Sequence, residues 1–463
     1  MTALTDSPMD AAAHVPELRR MLGVTDLTLL AMGTVIGSGI FLVPAVVLRQ
    51  TGGASGPALL VWLVAGVLSL LGALTYAEMG AMKPEAGGLY VYIRDTFGAL
   101  PAFLYGWTSF FVIASGSLAT LAVAFSGYLS EFVPLGRAAS RIVSVLVIVV
   151  IATINVRGTR KSSTLQNWTT GAKVGALLLL SAALLMFGRA PGGTAINWPE
   201  SFSPSLAVGM GAAMIGVLWA YEGWQYVTFS AGETRNPQRT FPLAITVATA
   251  ALVGLYLLVN LAYLAALGPI AASHSEKIAA DAASVVLGRA AGMVVGALIL
   301  ISIFSAANGL ILTAPRVYFA MARDGVFFRR LAIISARFGT PAFAIIATAL
   351  WAAVLAVSGT FEQLLTFVVF TGWIFYALGA LSVFVYRRRL PNAHRPFRVP
   401  GYPVTPVLFV LSAAGLVLNT VVTQPLRAAA GLGVVLLGTP AFFVWRARSR
   451  RDERLGPPSA TTV

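Results

Sequence analysis

Long apolar stretches alternate with short polar ones from about residue 26 to residue 446. A helix crossing a hydrocarbon core of about 30 Å needs roughly 20 apolar residues. On that measure the pattern predicts spans at 26–48, 57–82, 99–130, 140–157, 166–187, 206–231, 242–267, 284–320, 341–357, 362–386, 402–422 and 428–446, twelve helices in all. The third and eighth are long, which implies tilt or extension beyond the bilayer. Residues 1–25 are polar and partly acidic, with Asp6, Asp10 and Glu17, and lack the apolar core of a cleaved signal. They are expected to form a cytosolic tail, as is the basic segment 447–463.

Composition agrees with the pattern. Only 11% of the 463 residues are charged and 57% are hydrophobic, whereas soluble domains carry about 25% charged residues. A soluble enzyme, a disordered scaffold and a nucleic-acid-binding protein are thereby excluded. With no cysteine there is no disulfide, thiolate metal site or cysteine nucleophile. His14, His274 and His394 fall in separate polar or junction segments, so neither a metal site nor a cofactor is expected.

The net charge of +15 becomes informative once the basic residues are sorted by side. Twenty-three lie on the side of the N-terminus and seven on the other, with Lys173 and Arg316 inside spans. The positive-inside rule then makes both termini cytosolic. The surplus charge reflects topology and contact with anionic headgroups, not a nucleic-acid footprint.

Two spans contain residues that do not suit an unbroken helix. The first carries Gly37-Ser38-Gly39 near its middle, and the sixth carries Trp219-Ala220-Tyr221-Glu222-Gly223-Trp224-Gln225 near its own. Backbone groups freed by a break at membrane depth need other partners or a cavity. Gly33 and Gly37 also form a small-xxx-small pair, for which close helix packing is the competing explanation. Breaks five spans apart point to two inverted five-helix repeats, here 26–187 and 206–386, with helices 402–446 added after them. Such a site offers bare N–H groups to an anion and unwound carbonyls to a cation. That pairing matches an α-amino acid zwitterion.

At these residues the chain resembles the amino acid–polyamine–organocation transporter superfamily. The resemblance spans about residues 17–448 and rests on several motifs: Gly37-Ser38-Gly39-Ile40-Phe41, Tyr76-Ala77-Glu78, and the loop Pro84-Glu85-Ala86-Gly87-Gly88-Leu89-Tyr90-Val91-Tyr92. The sixth-helix exit from Glu233 through Asn236-Pro237 to Pro242, and Met321-Ala322-Arg323-Asp324-Gly325, complete the set. Ala220-Tyr221-Glu222-Gly223-Trp224 is most similar to the L-type amino acid transporter branch and its bacterial relatives.

The resemblance implies an all-α, LeuT-type fold and alternating access. It implies that N–H groups around Gly37, Ser38 and Gly39 hold a substrate carboxylate. Carbonyls near Val35, Ile36, Leu218 and Tyr221 would hold its ammonium. Trp219 takes the family's aromatic gate position on the outer side, with packing at a helix crossing as the alternative. Lys173, by its residues alone, is either a snorkelling lysine or a functional one; by resemblance it matches the lysine filling the second sodium site of related carriers. Sodium-independent transport, by exchange or proton coupling, would follow.

Glu222 is open to three readings: selection of basic substrates, a proton site, or a neutral carboxyl bonded within the bundle. It departs from the small or differently polar residue common in L-type members. Gln225 either contacts the substrate side chain or satisfies freed backbone. Glu78 is expected to pair with Lys83 or Arg94. Asp324, with Arg316 and Arg323, is expected to cap the eighth helix, an inner-gate ion pair being the alternative; Asn308-Gly309 either loosens that helix or packs it.

A membrane-embedded enzyme would need a clustered acid–base, metal or nucleophile constellation, which the sequence does not offer. A channel would want repeated pore-lining rings. A polyamine or organic amine carrier of the same fold is the nearer rival. Eukaryotic L-type members are disulfide-linked to a heavy chain; without cysteine this chain is expected to work alone, as a monomer or homodimer, in a bacterial inner membrane.

Overall fold

The apolar stretches form helices throughout, and two of their starts are set by capping side chains. The structure, a computed structural model, describes residues 18–455 apart from 131, 194 and 360. Most of the expected tail at 1–25, and the last residues of 447–463, lie outside them.

The chain opens with α1 (Val24–Val35) and α2 (Gly39–Gln50), followed by α3 (Ser55–Met82), α4 (Leu89–Phe97) and α5 (Ala99–Thr108). A π-helical turn, Ser109–Ile113, joins α5 to α6 (Ala114–Leu129); α7 (Arg137–Val156) and α8 (Thr159–Phe187) come next. Then α9 (Pro204–Ala220) leads into a 3₁₀ segment, Trp224–Glu233, and α10 (Pro237–His274), α11 (Ile278–Leu287), α12 (Arg289–Thr313) and α13 (Pro315–Arg323) follow. The last four are α14 (Ala342–Ser358), α15 (Phe361–Arg389), α16 (Val404–Thr423) and α17 (Pro425–Leu455).

Asp26 caps α1 by accepting the Gly23 N–H at 2.9 Å. The Ser203 hydroxyl accepts from Leu206 N–H at 3.2 Å at the start of α9, with Pro204 in the first turn where its missing N–H costs nothing.

Among the described residues ten helices are long and apolar enough to cross a membrane, and the bent pair α1–α2 makes eleven. Helix α14, at 17 residues, is a shorter apolar helix at the expected 341–357 span. The protein is therefore a multi-pass, all-helical membrane protein.

Differences from the expected boundaries have physical causes. The fifth span begins at Thr159 because polar Ser162, Ser163 and Gln166 continue the helix, buried against neighbours instead of ending it. The motif after the second span is a loop only as far as Gly88; Leu89 starts α4, whose apolar residues are buried.

At the centre, α1 packs with α10, α8 and α12, while α2 packs with α9, α10 and α3, and α9 also with α3. Helices α6, α7 and α14 pack on α12, while α16 and α17 lie against α3, α5 and α15.

Candidate functional site

Both suspected spans break. Helix α1 stops at Val35 and α2 starts at Gly39, with a 44° bend between them. Helix α9 stops at Ala220, Gly223 adopts φ +135°, and the chain continues as a 3₁₀ helix.

The two breaks press together, and two glycines make this possible. A Cβ on Gly39 would lie 2.7 Å from both Cα and Cβ of Ala220; one on Gly223 would lie 2.9 Å from Thr34 C and Val35 N. The Thr34 hydroxyl donates to the Gly223 carbonyl at 3.2 Å, tying one break to the other. Gly223→Ala is therefore expected to cost about 1–3 kcal/mol through strain at positive φ. A lower unfolding midpoint and reduced substrate uptake would register it, and wild-type values for both would contradict the close approach.

Between the breaks lies a cavity of about 40 Å³, lined by Gly37, Ser38, Gly39, Trp219, Glu222 and Tyr226, with Thr34, Val35, Ser117, Leu121, Ala220, Ala306 and Leu310 completing the wall. It is smaller than an amino acid. The N–H groups at the start of α2 have no helical acceptor of their own, and Ser38 Oγ is buried without a protein partner.

On the carbonyl side the Val35 oxygen accepts from Gly37 N–H at 2.8 Å and from the Tyr256 hydroxyl at 3.2 Å. The Ile36 oxygen accepts from Lys173 Nζ at 2.7 Å and Ser302 Oγ at 3.0 Å. Both lone pairs of the Ile36 oxygen are thus engaged, whereas the single Tyr256 proton lies equally close, at 3.2 Å, to the Val35 and Ala220 oxygens. At α9 the Glu222 N–H bonds to Trp219 instead of Leu218, which takes from the Leu218 carbonyl its helical donor.

Lys173 sits midway along the 29-residue α8, because the helix starts before the expected 166. Its amino group donates to Gly33 O at 2.6 Å and Ile36 O at 2.7 Å, and the residue is 2% exposed. The amino group points into the α1–α2 break and not toward an interface.

Along the same face of α8, Ser162 Oγ donates to Asn155 Oδ1 at 2.8 Å, and Gln166 Oε1 accepts from Asn308 Nδ2 at 3.0 Å. Thr169 Oγ1 donates to Ser305 Oγ at 2.8 Å. Asn308 thus belongs to a buried polar seam joining α7, α8 and α12, while Gly309 lets Thr34 and Gln166 approach.

Glu222 gathers three donors on one oxygen. The Tyr376 and Tyr226 hydroxyls donate to Oε1 at 2.8 and 3.0 Å, and Gln225 Nε2 does so at 3.4 Å. Oε2 is buried with no protein partner. Gln225 Oε1 accepts the Gly223 N–H at 3.1 Å, so this residue satisfies freed backbone. Tyr376 and Tyr226 were not picked out in the sequence. Their only signal there is a tyrosine within an apolar span, which needs a buried hydroxyl partner.

Two expectations about the polar face at the ends of α3, α13 and α15 are corrected. Glu78 pairs with Arg387 (2.9 and 2.6 Å) and Arg395 (3.4 Å), not with Lys83 or Arg94, and it accepts Val399 N–H at 2.8 Å. Asp324 faces Arg94 at 2.9 Å and the Tyr90 hydroxyl at 2.8 Å, whereas Arg316 pairs with Glu233 at 3.1 Å, both fully buried. In each case the true partner comes from a segment remote in the chain. Burial and the neighbouring Asp324 carboxylate push the Tyr90 hydroxyl above its ordinary range, so it stays a donor. A cavity of about 670 Å³ opens beside these groups, lined by Arg19, Arg20, Glu85, Arg94, Arg323 and Asp324. Beneath it the segment before α1 is bound to the sixth-span exit, with Leu22 N–H donating to Glu233 O and Arg235 N–H to Leu22 O.

Comparison with known proteins accords with this architecture. The amino acid permease family profile matches residues 22–442. The chain is 35% identical over 416 residues to the human b(0,+)-type amino acid transporter 1, covering 88% of this chain and 84% of that one. It is 30% identical over 438 residues to the serine/threonine exchanger SteT of Bacillus subtilis, covering 93% and 98%. Against the human cystine/glutamate transporter it is 30% identical over 443 residues, covering 94% and 87%. These relatives are transporters, not enzymes. On the family match and on identity across most of its length, the chain belongs to the amino acid permease family.

Proposed function

We propose that the protein is a sodium-independent amino acid exchanger of a bacterial inner membrane, with both termini cytosolic, working by alternating access between two inverted five-helix repeats. The observation that carries this reading is the meeting of two helix breaks around one small cavity, lined by Ser38 and Gly39 at the start of α2 and by Trp219, Ala220 and Glu222 at the α9 break. The substrate carboxylate lies on the N–H groups at Ser38 and Gly39. Its ammonium lies toward the Val35, Leu218 and Tyr221 carbonyls, since that of Ile36 already has two donors.

A cavity of about 40 Å³ corresponds to a closed state, which must widen to admit substrate. Trp219, in its wall, gates the outer side. The Arg94–Asp324 and Arg316–Glu233 pairs hold the cytosolic side shut. Lys173 stands where a sodium ion would otherwise brace the first break. Glu222 Oε2 receives a cationic side-chain end, which favours basic amino acids. Its lack of a protein partner also supports a second reading, a proton carried on that oxygen.

Competition for uptake into proteoliposomes tests the carboxylate cradle. Lysine is expected to compete at least tenfold better than cadaverine, which has both its amino groups and no carboxylate. Equal competition, or uptake of putrescine and spermidine alone, would instead indicate an amine carrier.

A further inference from the structure

A second cavity, of about 480 Å³, lies away from the substrate site between α8 and α12. Its walls are apolar: Leu179, Leu180 and Ala183 on one helix, Ala291, Val294 and Leu298 on the other. Leu179 and Val294 are 75% and 60% exposed, so the groove opens sideways, toward lipid in a membrane-spanning region. Its floor is formed by Phe41 of α2 and by Lys173. An occupant therefore touches the half-helix that bears the substrate amides and the residue that braces the break.

The helices run antiparallel. Ser162 meets Asn308, Thr169 meets Ser305, and Lys173 and Ser302 share the Ile36 oxygen. Beyond Lys173 the groove continues toward the end of α8 at Phe187 and the start of α12 at Arg289. Past the lined groove at that end stand Arg189, whose Nη1 donates to Gly188 O at 2.7 Å, and Arg289, both exposed and neither in a salt bridge among the described residues. An apolar trough with two arginines near its mouth, at the level of lipid headgroups, is complementary to an anionic amphiphile.

We propose that this groove binds an anionic phospholipid, its acyl chain lying against Phe41 and Lys173 and its phosphate between Arg189 and Arg289. The bound chain fills the space behind the first-span break and braces α2 against α12. Ala176, Ala183 and Ala291 leave room for it: a larger side chain at Ala291 would fill the trough.

The absence of native cysteine gives a clean test. Leu179→Cys, labelled with a fluorophore, is reconstituted in phosphatidylcholine vesicles containing nitroxide-chain phosphatidylglycerol or nitroxide-chain phosphatidylcholine. The glycerol lipid is expected to quench at no more than a third of the mole fraction the choline lipid requires. The preference is expected to vanish in an Arg189→Gln/Arg289→Gln background, and again on Ala291→Phe. Equal quenching by the two lipids overturns the proposal, as does a preference that survives both sets of substitutions. So does the absence of quenching by either, the result expected if a second copy covers the groove. The readout involves no transport, so its outcome is independent of the function proposed above.

Discussion

Lys173→Ala is expected to slow transport by ten- to more than a hundredfold while leaving the protein folded and monodisperse. The substitution removes two short hydrogen bonds, to Gly33 O and Ile36 O, that hold the end of α1 around its break. Hydrogen bonds involving a charged group contribute about 1.5–3 kcal/mol each, and about 1.4 kcal/mol is a factor of ten in rate. Ser302 still donates to Ile36, so the break loses its brace without losing every partner. Initial rates in proteoliposomes, alongside elution on size exclusion, make the comparison. Wild-type rates would mean that the amino group merely fills space, and restored activity on adding sodium would mean that the site takes the ion instead.

Glu222→Gln is expected to lower the ratio of basic to neutral substrate uptake by ten- to a hundredfold, with neutral substrates affected least. The glutamine carbonyl can keep the Tyr376, Tyr226 and Gln225 donors that now converge on Oε1. The amide NH₂ would then stand at the Oε2 position and present donors where a cationic side chain needs an acceptor. A charge-assisted bond of about 1.5–3 kcal/mol sets the size of the effect. Substrate panels run on both proteins decide it. An unchanged ratio would remove Glu222 from side-chain selection and favour the proton reading. Loss of all transport with unchanged relative affinities would do the same.

Much of this arrangement was visible in the sequence because membrane burial leaves few ways to accommodate polar residues. Gly37-Ser38-Gly39 and Glu222-Gly223 mark the two breaks, since neither pattern suits a continuous helix in lipid. Lys173 stood out because charge is scarce at that depth.

What was not legible depended on partners distant in the chain. Tyr376 reaches Glu222 across 154 positions, and Glu78 finds Arg387 across 309. Arg94 looked like a partner for Glu78 only because it lies nearby in sequence; α4 turns it toward Asp324 instead. The carbonyl of Ile36 looked available for substrate because nothing local announces the donors from Lys173 and Ser302 that engage it. The start of the fifth span also shifted. The start of α8 is polar and buried, a combination that hydrophobicity alone places outside the helix.

The most direct test is exchange by the purified protein in liposomes. Vesicles preloaded with a mixed pool of unlabelled amino acids, and matched empty vesicles, are offered labelled lysine with external sodium or with choline in its place. The account predicts rapid uptake into preloaded vesicles only, at the same rate in either medium. Failure to take up any standard amino acid, or an absolute requirement for sodium, would contradict it.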